Sequence, residues 1–213
     1  MHRLFVGLLA GAGLFACAVQ AQVTNVPTTE LETFEAQTGK VIVKGAGQIG
    51  SLAVDQLNIV VIGKESLDAS TGSKQYGMAV EVLSNDQQMW KKLVDYDEMD
   101  SLLNGLDYLA KIDYKVTSEP TFVASYVTKS GFRVGAFTSQ RRGVIQYFLQ
   151  DHSTNSARIL ITPAQLSQFQ SLVDQTRSNL DSLRAPHCDG GGAPPSDFLK
   201  VVSRRAQSGL ACG

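Results

Sequence analysis

The links between successive strand-like segments in the second half of the chain are too short to contain a helix. Strand signals cover residues 121–128, 132–138 and 143–150, with links at 129–131 and 140–142. Links of about two to five residues return the chain as a hairpin, because parallel neighbours need a crossover of about a dozen residues or more. The second half is therefore predicted to form an antiparallel meander.

The first half also consists of short runs of β-branched and aromatic residues that end at turn-forming residues. Residues 68–73 have the composition of an exposed turn. Strands are predicted at 40–44, within 48–54, at 58–63, at 76–83 and at 92–96, with a further short strand at 158–161. The chain is thus rich in strands that are joined by turns.

Two segments place apolar residues at the three- and four-residue spacing of an amphipathic helix. The first covers about 98–112, with Asp97 or Asp100 as its N-cap. The second covers 163–183, where Thr162 precedes a proline that suits the first helical position. The predicted fold class is therefore α+β, a predominantly antiparallel sheet packed against two main helices.

The two halves resemble each other in layout. Residues 77–83 precede the first helix at nearly the same distance as residues 143–149 precede the second. The α+β domain, residues 40–184, is therefore predicted to be a tandem duplication of meander and helix. Its pseudo-repeats would be 40–113 and 119–184, and they would bury one joint core.

The first 21 residues have the features of a secretory signal peptide. Arg3 supplies a basic start, residues 4–18 are apolar, and small residues before Gln22 suit a signal peptidase. This apolar run is shorter than the roughly 20 residues that span a bilayer, so no transmembrane span is expected in the mature chain. In an alternative, an acylated Cys17 would tether the protein to a membrane.

Export would place the mature protein in the periplasm or outside the cell. Residues 22–39 are polar and aperiodic, and they are predicted to form a loose N-terminal extension. The formal net charge of the chain is -1, which does not attract nucleic acid or an anionic membrane surface through bulk charge. No nucleic acid is therefore expected among the partners.

The cysteine content agrees with export. Removal of the signal peptide leaves Cys188 and Cys212, and an even pair in an oxidising compartment favours a disulfide that loops the C-terminal tail, 185–213. His187 next to Cys188 suggests a Cys-His nucleophile. However, the following residues, 189–195, have the glycine- and proline-rich composition of a linker and not of a rigid pocket.

Gly45, Gly47 and Gly50 form a GxGxxG pattern after an apolar strand, and Glu65 follows twenty residues beyond Gly45. The pattern resembles a Rossmann fingerprint, which implies a pyrophosphate bound at a helix N-terminus and an acid on the ribose. Against this, the segment 48–56 is short for a crossover helix, and no further βαβ unit follows. A glycine-rich strand or hairpin is the favoured interpretation.

An acidic cluster precedes the first helix, and its carboxylates could bind calcium. An EF-hand loop that began at Asp95 would need glycine at its sixth position and glutamate at its twelfth, where Asp100 and Leu106 stand. Acids in a first helical turn interact favourably with the helix dipole. The cluster, Asp95, Asp97, Glu98 and Asp100, is therefore predicted to stabilise the start of the helix.

Metal and hydrolase chemistry find little support. No pair among His2, His152 and His187 has the spacing of a zinc site, and neither GxSxG nor HExxH occurs. We therefore expect no metal and no bound cofactor.

The predicted hairpin tip at Arg141 and Arg142, with Lys129 and Arg133 on neighbouring strands, would form either a small anion site or a solvated turn. The solvated turn is favoured. The sequence as a whole predicts an exported, non-enzymatic binding or envelope-associated module with an unidentified ligand or protein partner. The alternative is a nucleotide-dependent oxidoreductase that uses the GxGxxG at 45–50.

Overall fold

The computed structural model describes residues 29–139, 144–154 and 156–185. These residues form two four-stranded antiparallel sheets, with strand orders β1-β2-β3-β4 and β5-β6-β7-β8, and three α-helices. In chain order the elements are α1 (Glu30–Glu35), β1 (Ile42–Val54), β2 (Leu57–Asp68), β3 (Lys74–Ser84), β4 (Gln87–Asp95), α2 (Met99–Ala110), β5 (Val123–Val127), β6 (Phe132–Ser139), β7 (Val144–Asp151), β8 (Ile159–Ile161) and α3 (Pro163–Arg184). The predicted α+β class and the tandem meander-helix layout are confirmed.

Tight turns set the register of the first sheet. Asp55 follows β1 with φ 51°, and Asn85 and Asp86 follow β3 with φ 48° and 63°. Asparagine and aspartate tolerate this left-handed region better than other non-glycine residues, and two-residue hairpins require it. Strands β1 and β2 are longer than predicted, because β1 continues through the glycine-rich residues 45–50 with a bulge between Gln48 and Gly50.

One core joins the two sheets. The inner faces of both sheets and the apolar stripes of α2 and α3 share a single cluster of buried side chains. Phe132 lies near its centre, with its ring centroid 6.1 Å from that of Trp90 on β4 and 5.8 Å from that of Phe169 on α3. The two meanders are thus two halves of one folding unit.

Helix α3 begins as the sequence predicts. The Thr162 side chain accepts a hydrogen bond from the N–H of Gln165, whose own side chain accepts from the N–H of Thr162. The predicted N-cap of α2 is wrong. A 3-10 turn, Tyr96–Glu98, precedes that helix and contains Asp97, while Asp100 lies inside the first turn.

The prediction of a loose extension is wrong for the part of 22–39 that the structure describes. Helix α1 is capped by Thr29, and Leu31 is fully buried on the outer side of the first sheet. The N–H groups of Glu30 and Leu31 donate to the Asp95 carboxylate at 2.8 and 3.0 Å. This distant carboxylate stabilises a helix that is too short to show a periodic sequence pattern.

Several predictions fall outside the described residues. They concern the signal peptide 1–21 with Cys17, the tail 185–213 after its first residue, with His187, Cys188 and Cys212, and the hairpin tip with Arg141 and Arg142. Within the part that is described, no helix combines the length and apolar character needed to cross a bilayer.

Candidate functional site

The GxGxxG residues lie on a strand. Gly45 of β1 is paired with Glu65 of β2, and Gly47 is paired with Gly63. The spacing of Gly45 and Glu65 therefore reflects a hairpin register and not a βα unit. The helix over 48–56 that the dinucleotide hypothesis requires is not formed, because these residues continue β1 and its turn. Strand β1 offers no helix N-terminus to a pyrophosphate.

Glu65 is engaged by its neighbours on the sheet. The Lys74 ammonium lies 2.7 Å from its carboxylate, and the Tyr76 hydroxyl donates to it at 3.4 Å. Burial and the Glu65 charge raise the pKa of Tyr76. Glu65 therefore belongs to a charge network along the strands, and its role as a ribose ligand has lost the structural context that suggested it.

The glycines allow α3 to lie close to the first sheet. The close approach is at Gly50, where a Cβ atom would lie 2.5 Å from Cδ2 of Leu172; one on Gly63 would make only an ordinary contact with Cδ2 of Leu180, at 3.8 Å. A cavity of about 50 Å³ remains between the glycines and the end of α3. Pockets for drug-sized ligands are about 300 Å³ or larger, so this cavity cannot contain a dinucleotide.

The acidic cluster joins the two halves of the molecule. The Lys129 ammonium contacts Asp97 at 2.9 Å and Asp95 at 3.3 Å, and the Lys129 N–H donates to Glu98 at 2.8 Å. Asp97 and Asp95 raise the pKa of Lys129, whereas burial raises the pKa of Glu98. Asp100 pairs instead with Arg177 of α3 at 3.0 Å. The cluster is held by internal partners, which accounts for these residues without a metal ion.

Two buried aspartates were missed by the sequence reasoning. The segments 68–73 and 151–156 share the pattern Asp-x-Ser-Thr-x-Ser. Asp68 is only 1% exposed and pairs with Lys40, and Asp151 is only 2% exposed and pairs with Lys92. The prediction of an exposed turn at 68–73 is therefore wrong for its first residue.

Both aspartates fix their turns by the same hydrogen bonds. Each Oδ1 atom accepts from the N–H of the serine two residues later, Ser70 or Ser153, at 2.9 Å. Hydrogen bonds from Lys40 and Ser70 hold the pKa of Asp68 well below its usual value. Burial opposes the shift at Asp151, but Ser153 and Lys92 still lower its pKa. Repetition of this short pattern was the sequence signal for these structural turns.

The outer face of the second sheet is the candidate binding site, and we call it the open face. Four of its apolar side chains are exposed to solvent, at 59% for Val123, 51% for Val144, 49% for Leu160 and 40% for Val127, whereas Phe148 on the same face is fully buried. The strand positions on this face are Val123, Ser125, Val127, Arg133, Gly135, Phe137, Val144, Gln146, Phe148, Gln150 and Leu160, with Arg158 just before β8. No acidic side chain occurs at these described positions.

Two arginines border the apolar side chains of the open face. The Arg158 guanidinium lies 4.5 Å from the ring centroid of Phe148 and 5.1 Å from that of Phe137. Arg133 contacts His152 at 3.2 Å, and its Nε atom is buried without a hydrogen-bond partner. Neither arginine forms an ion pair with a carboxylate of the described residues. Arg133 and Lys129, which the sequence grouped, thus have different partners.

The outer face of the first sheet is covered, and we call it the covered face. Leu31 of α1 packs there against Ala79 and Leu93. Glu35 of α1 pairs with Lys44 at 2.8 Å and with Lys64 at 3.4 Å. An acidic helix with an apolar anchor therefore covers a face that carries lysines.

The sequence contained part of the signal for the open face. Residues 123–127 alternate between exposed and partly buried positions, as a half-buried strand does. Alternation alone does not reveal whether a further segment covers the outward side chains. Within the described residues, no three His, Cys, Asp or Glu side chains are grouped as metal ligands.

Comparisons of this chain with protein family models, with curated proteins and with solved structures each found no match. The function of the site therefore has to be argued from its own chemistry.

Proposed function

We propose that this chain is an exported, non-enzymatic binding module that recognises a protein partner through the open face. The observation that carries the proposal is the combination of exposed aliphatic side chains with two arginines that lack carboxylate partners among the described residues. These side chains lie on one face of the second sheet, and exposed apolar surface with polar side chains at its border often marks an interaction site.

The chemistry of the open face favours an acidic partner segment with an apolar side. Carboxylates would pair with Arg133 and Arg158, and apolar side chains would cover Val123 and Leu160. Guanidinium groups suit such a role because they bind carboxylates in a bidentate geometry. Helix α1 binds the first sheet in the same way, since its acidic side chains pair with lysines and its leucine packs on apolar residues of that sheet.

The C-terminal residues of the chain itself fit this role less well. Residues 186–213 carry three basic side chains, Lys200, Arg204 and Arg205, against two acidic ones. Like charges would oppose their docking beside Arg133 and Arg158. We therefore favour another protein as the source of the complementary charge.

Export of the chain is part of the proposal, and it rests on the sequence of residues 1–21. Mass spectrometry of the protein from the producing cells tests it. We expect a chain that begins at Gln22. A chain that begins at an acylated Cys17 would replace the soluble exported form by a membrane-tethered one, and a chain that retains Met1 would contradict export.

Site-specific photocrosslinking in the producing cells tests partner binding. A benzophenone side chain placed at Leu160 lies on the open face, and one placed at Tyr108 of α2 is a control of similar exposure. We expect one dominant adduct at position 160, mapped by mass spectrometry to an acidic segment, and its loss with Arg158→Glu. No adduct at position 160, or equal adducts at both positions, would contradict the proposal.

Calorimetry with NAD and NADP tests the nucleotide-dependent alternative. We expect no binding heat, because the glycines at 45–50 are part of a strand under α3. Micromolar binding that Gly47→Val abolishes would overturn the binding-module proposal.

A further inference from the structure

Strand β1 is an edge strand, and part of its edge carries unpaired backbone groups. Among the described strands it pairs only with β2. An antiparallel edge strand directs the N–H and C=O groups of every second residue away from its neighbour. Such an edge is a template for a further strand unless the protein protects it.

Hydrogen bonds at the two ends of β1 show which groups point outward. Gln165 and Gln168 of α3 donate to the carbonyl oxygens of Ala53 and Ser51 at 2.9 and 3.4 Å. At the other end, the carbonyl of Val41 faces β2, since it accepts from the N–H of Ala69 at 3.0 Å.

Successive residues of a strand direct their backbone groups alternately toward and away from the neighbouring strand. Counting from both ends of β1, with one extra residue at the bulge after Gln48, identifies the backbone groups that point away from β2. The outward backbone groups before the bulge belong to Ile42, Lys44, Ala46 and Gln48. Apart from the β1–β2 ladder, no hydrogen bond joins their backbone to another described residue. We call residues 42–48 the free edge.

The free edge has little protection against pairing. Residues 41–54 contain one charged side chain, Lys44, and no proline. Val41 just before the free edge is 68% exposed, and Val43 within it is 53% exposed. The glutamines of α3 protect the other half of the strand and leave this half open.

We propose that the free edges of two copies of this chain pair as antiparallel strands around a two-fold axis at Gly45. This register places Ile42 opposite Gln48 of the second copy, and Lys44 opposite Ala46. All outward backbone groups of the free edge then form hydrogen bonds, and the two first sheets become one continuous sheet.

The side chains of the free edge fit this register. No like charges face each other, because Lys44 meets Ala46. Val43 meets Gly47 of the second copy on the inner face, beside the cavity of about 50 Å³ that Gly47, Leu180 and Leu183 line. Gly45 meets itself in a non-hydrogen-bonded pair, where Cα atoms approach to about 4.5 Å.

We favour a second copy of this chain as the partner of the free edge, because the side chains of residues 42–48 fit those of the same segment in the other copy. It offers a valine where the facing strand has a glycine and a cavity, and a small residue where the facing strand has a lysine. An unrelated extended peptide would use the same backbone groups without this match of side chains.

Sedimentation equilibrium of the mature chain tests the pairing, with two opposite substitutions at one exposed position. Ala46→Lys would place a lysine opposite Lys44 of the other copy, whereas Ala46→Glu would place a carboxylate there. We expect a concentration-dependent dimer whose dissociation constant rises about tenfold or more with Ala46→Lys and does not rise with Ala46→Glu. A wild-type chain that stays monomeric at about 100 μM, or equal effects of the two substitutions, would overturn the proposal.

Disulfide trapping distinguishes this interface from any other dimer. A Cβ atom at Gly45 meets no atom closer than 3.6 Å, so Gly45→Cys fits the fold. We expect Gly45→Cys to give a covalent dimer under mild oxidation well before Ser51→Cys, with the wild-type chain as background for its own cysteines. Equal trapping at both positions would contradict the register.

Crosslinking from position 160 is expected to persist in Ala46→Lys, which separates this proposal from partner binding at the open face.

Discussion

The two sheets of this molecule are alike on their inner faces and different on their outer faces. Both inner faces are apolar, since each contributes to one core with α2 and α3. The covered face of the first sheet carries α1, whose Glu35 forms ion pairs with Lys44 and Lys64. The open face of the second sheet has arginines without carboxylate partners among the described residues, and exposed valines. The shared core requires both inner faces to be apolar. The outer faces differ because helix α1, which belongs to the first half of the chain, packs on the first sheet.

The largest expected effect comes from removing the anchor of the covered face. Leu31→Ala deletes a fully buried side chain, and we expect a loss of about 2 to 4 kcal/mol in the free energy of unfolding. Val123→Ala on the open face should change it by less than about 0.5 kcal/mol. Urea unfolding of both variants measures the difference, and similar losses would remove the distinction between the faces.

A second test concerns the packing of the open face itself. The ring of Phe148 lies over Gly135, and a Cβ atom there would lie 2.5 Å from its Cζ atom and 2.7 Å from the carbonyl oxygen of Ala124. We expect Gly135→Ala to lower the free energy of unfolding by about 1 to 3 kcal/mol. Gly45→Ala on β1 is the matched control, for which we expect no clash. A neutral Gly135→Ala would mean that the ring is not fixed in this position.

The pH dependence of the covered face provides a third test. Burial acts to raise the pKa of Glu35, but Lys44, Ser66 and Lys64 together hold it below its ordinary value of 4.5. Ionised Glu35 therefore stabilises the folded state above that value, and this contribution is lost as the pH falls through the lowered pKa.

Glu35→Gln should accordingly reduce the free energy of unfolding at pH 7 by about 1 kcal/mol or less, and have a smaller effect near pH 3. Urea unfolding at the two pH values measures it. An effect that is larger at pH 3 would show that the carboxylate does not hold α1 through its charge.

The smallest expected effect on stability is on the open face. Leu160→Ser should change the free energy of unfolding by less than about 0.5 kcal/mol, because Leu160 is already half exposed. The same substitution should reduce partner binding, measured as adduct yield from a benzophenone at position 144. A large loss of stability would show that Leu160 contributes to the fold rather than to binding.

The sequence was sufficient where local signals and packing agree. The Thr162 cap and the apolar stripe of α3 predicted that helix to within one residue at each end. The short links predicted the meanders. Helix α1 was missed because it depends on Asp95, which is remote in the sequence, and on a single buried leucine of the helix, Leu31.

Glycines explain the other failures. In β1 the glycines at 45–50 interrupt the alternation of a strand, so the sequence showed two fragments and a nucleotide-like pattern. These glycines form a strand because they pair with β2 and because α3 packs closely on them. Neither contact can be recognised from the sequence of residues 45–50 alone. The open face could not be predicted either, because the alternation of residues along its strands does not show whether another segment packs on it.

Photocrosslinking from position 160 in paired charge-reversal variants tests the central claim most directly. Arg158 of the open face lacks a carboxylate partner among the described residues, whereas Lys91 on the outer side of the first sheet already pairs with Glu81 at 2.6 Å. We expect that Arg158→Glu abolishes the adduct and that Lys91→Glu leaves it intact. Equal adduct yields in the two variants would contradict a binding role for the open face.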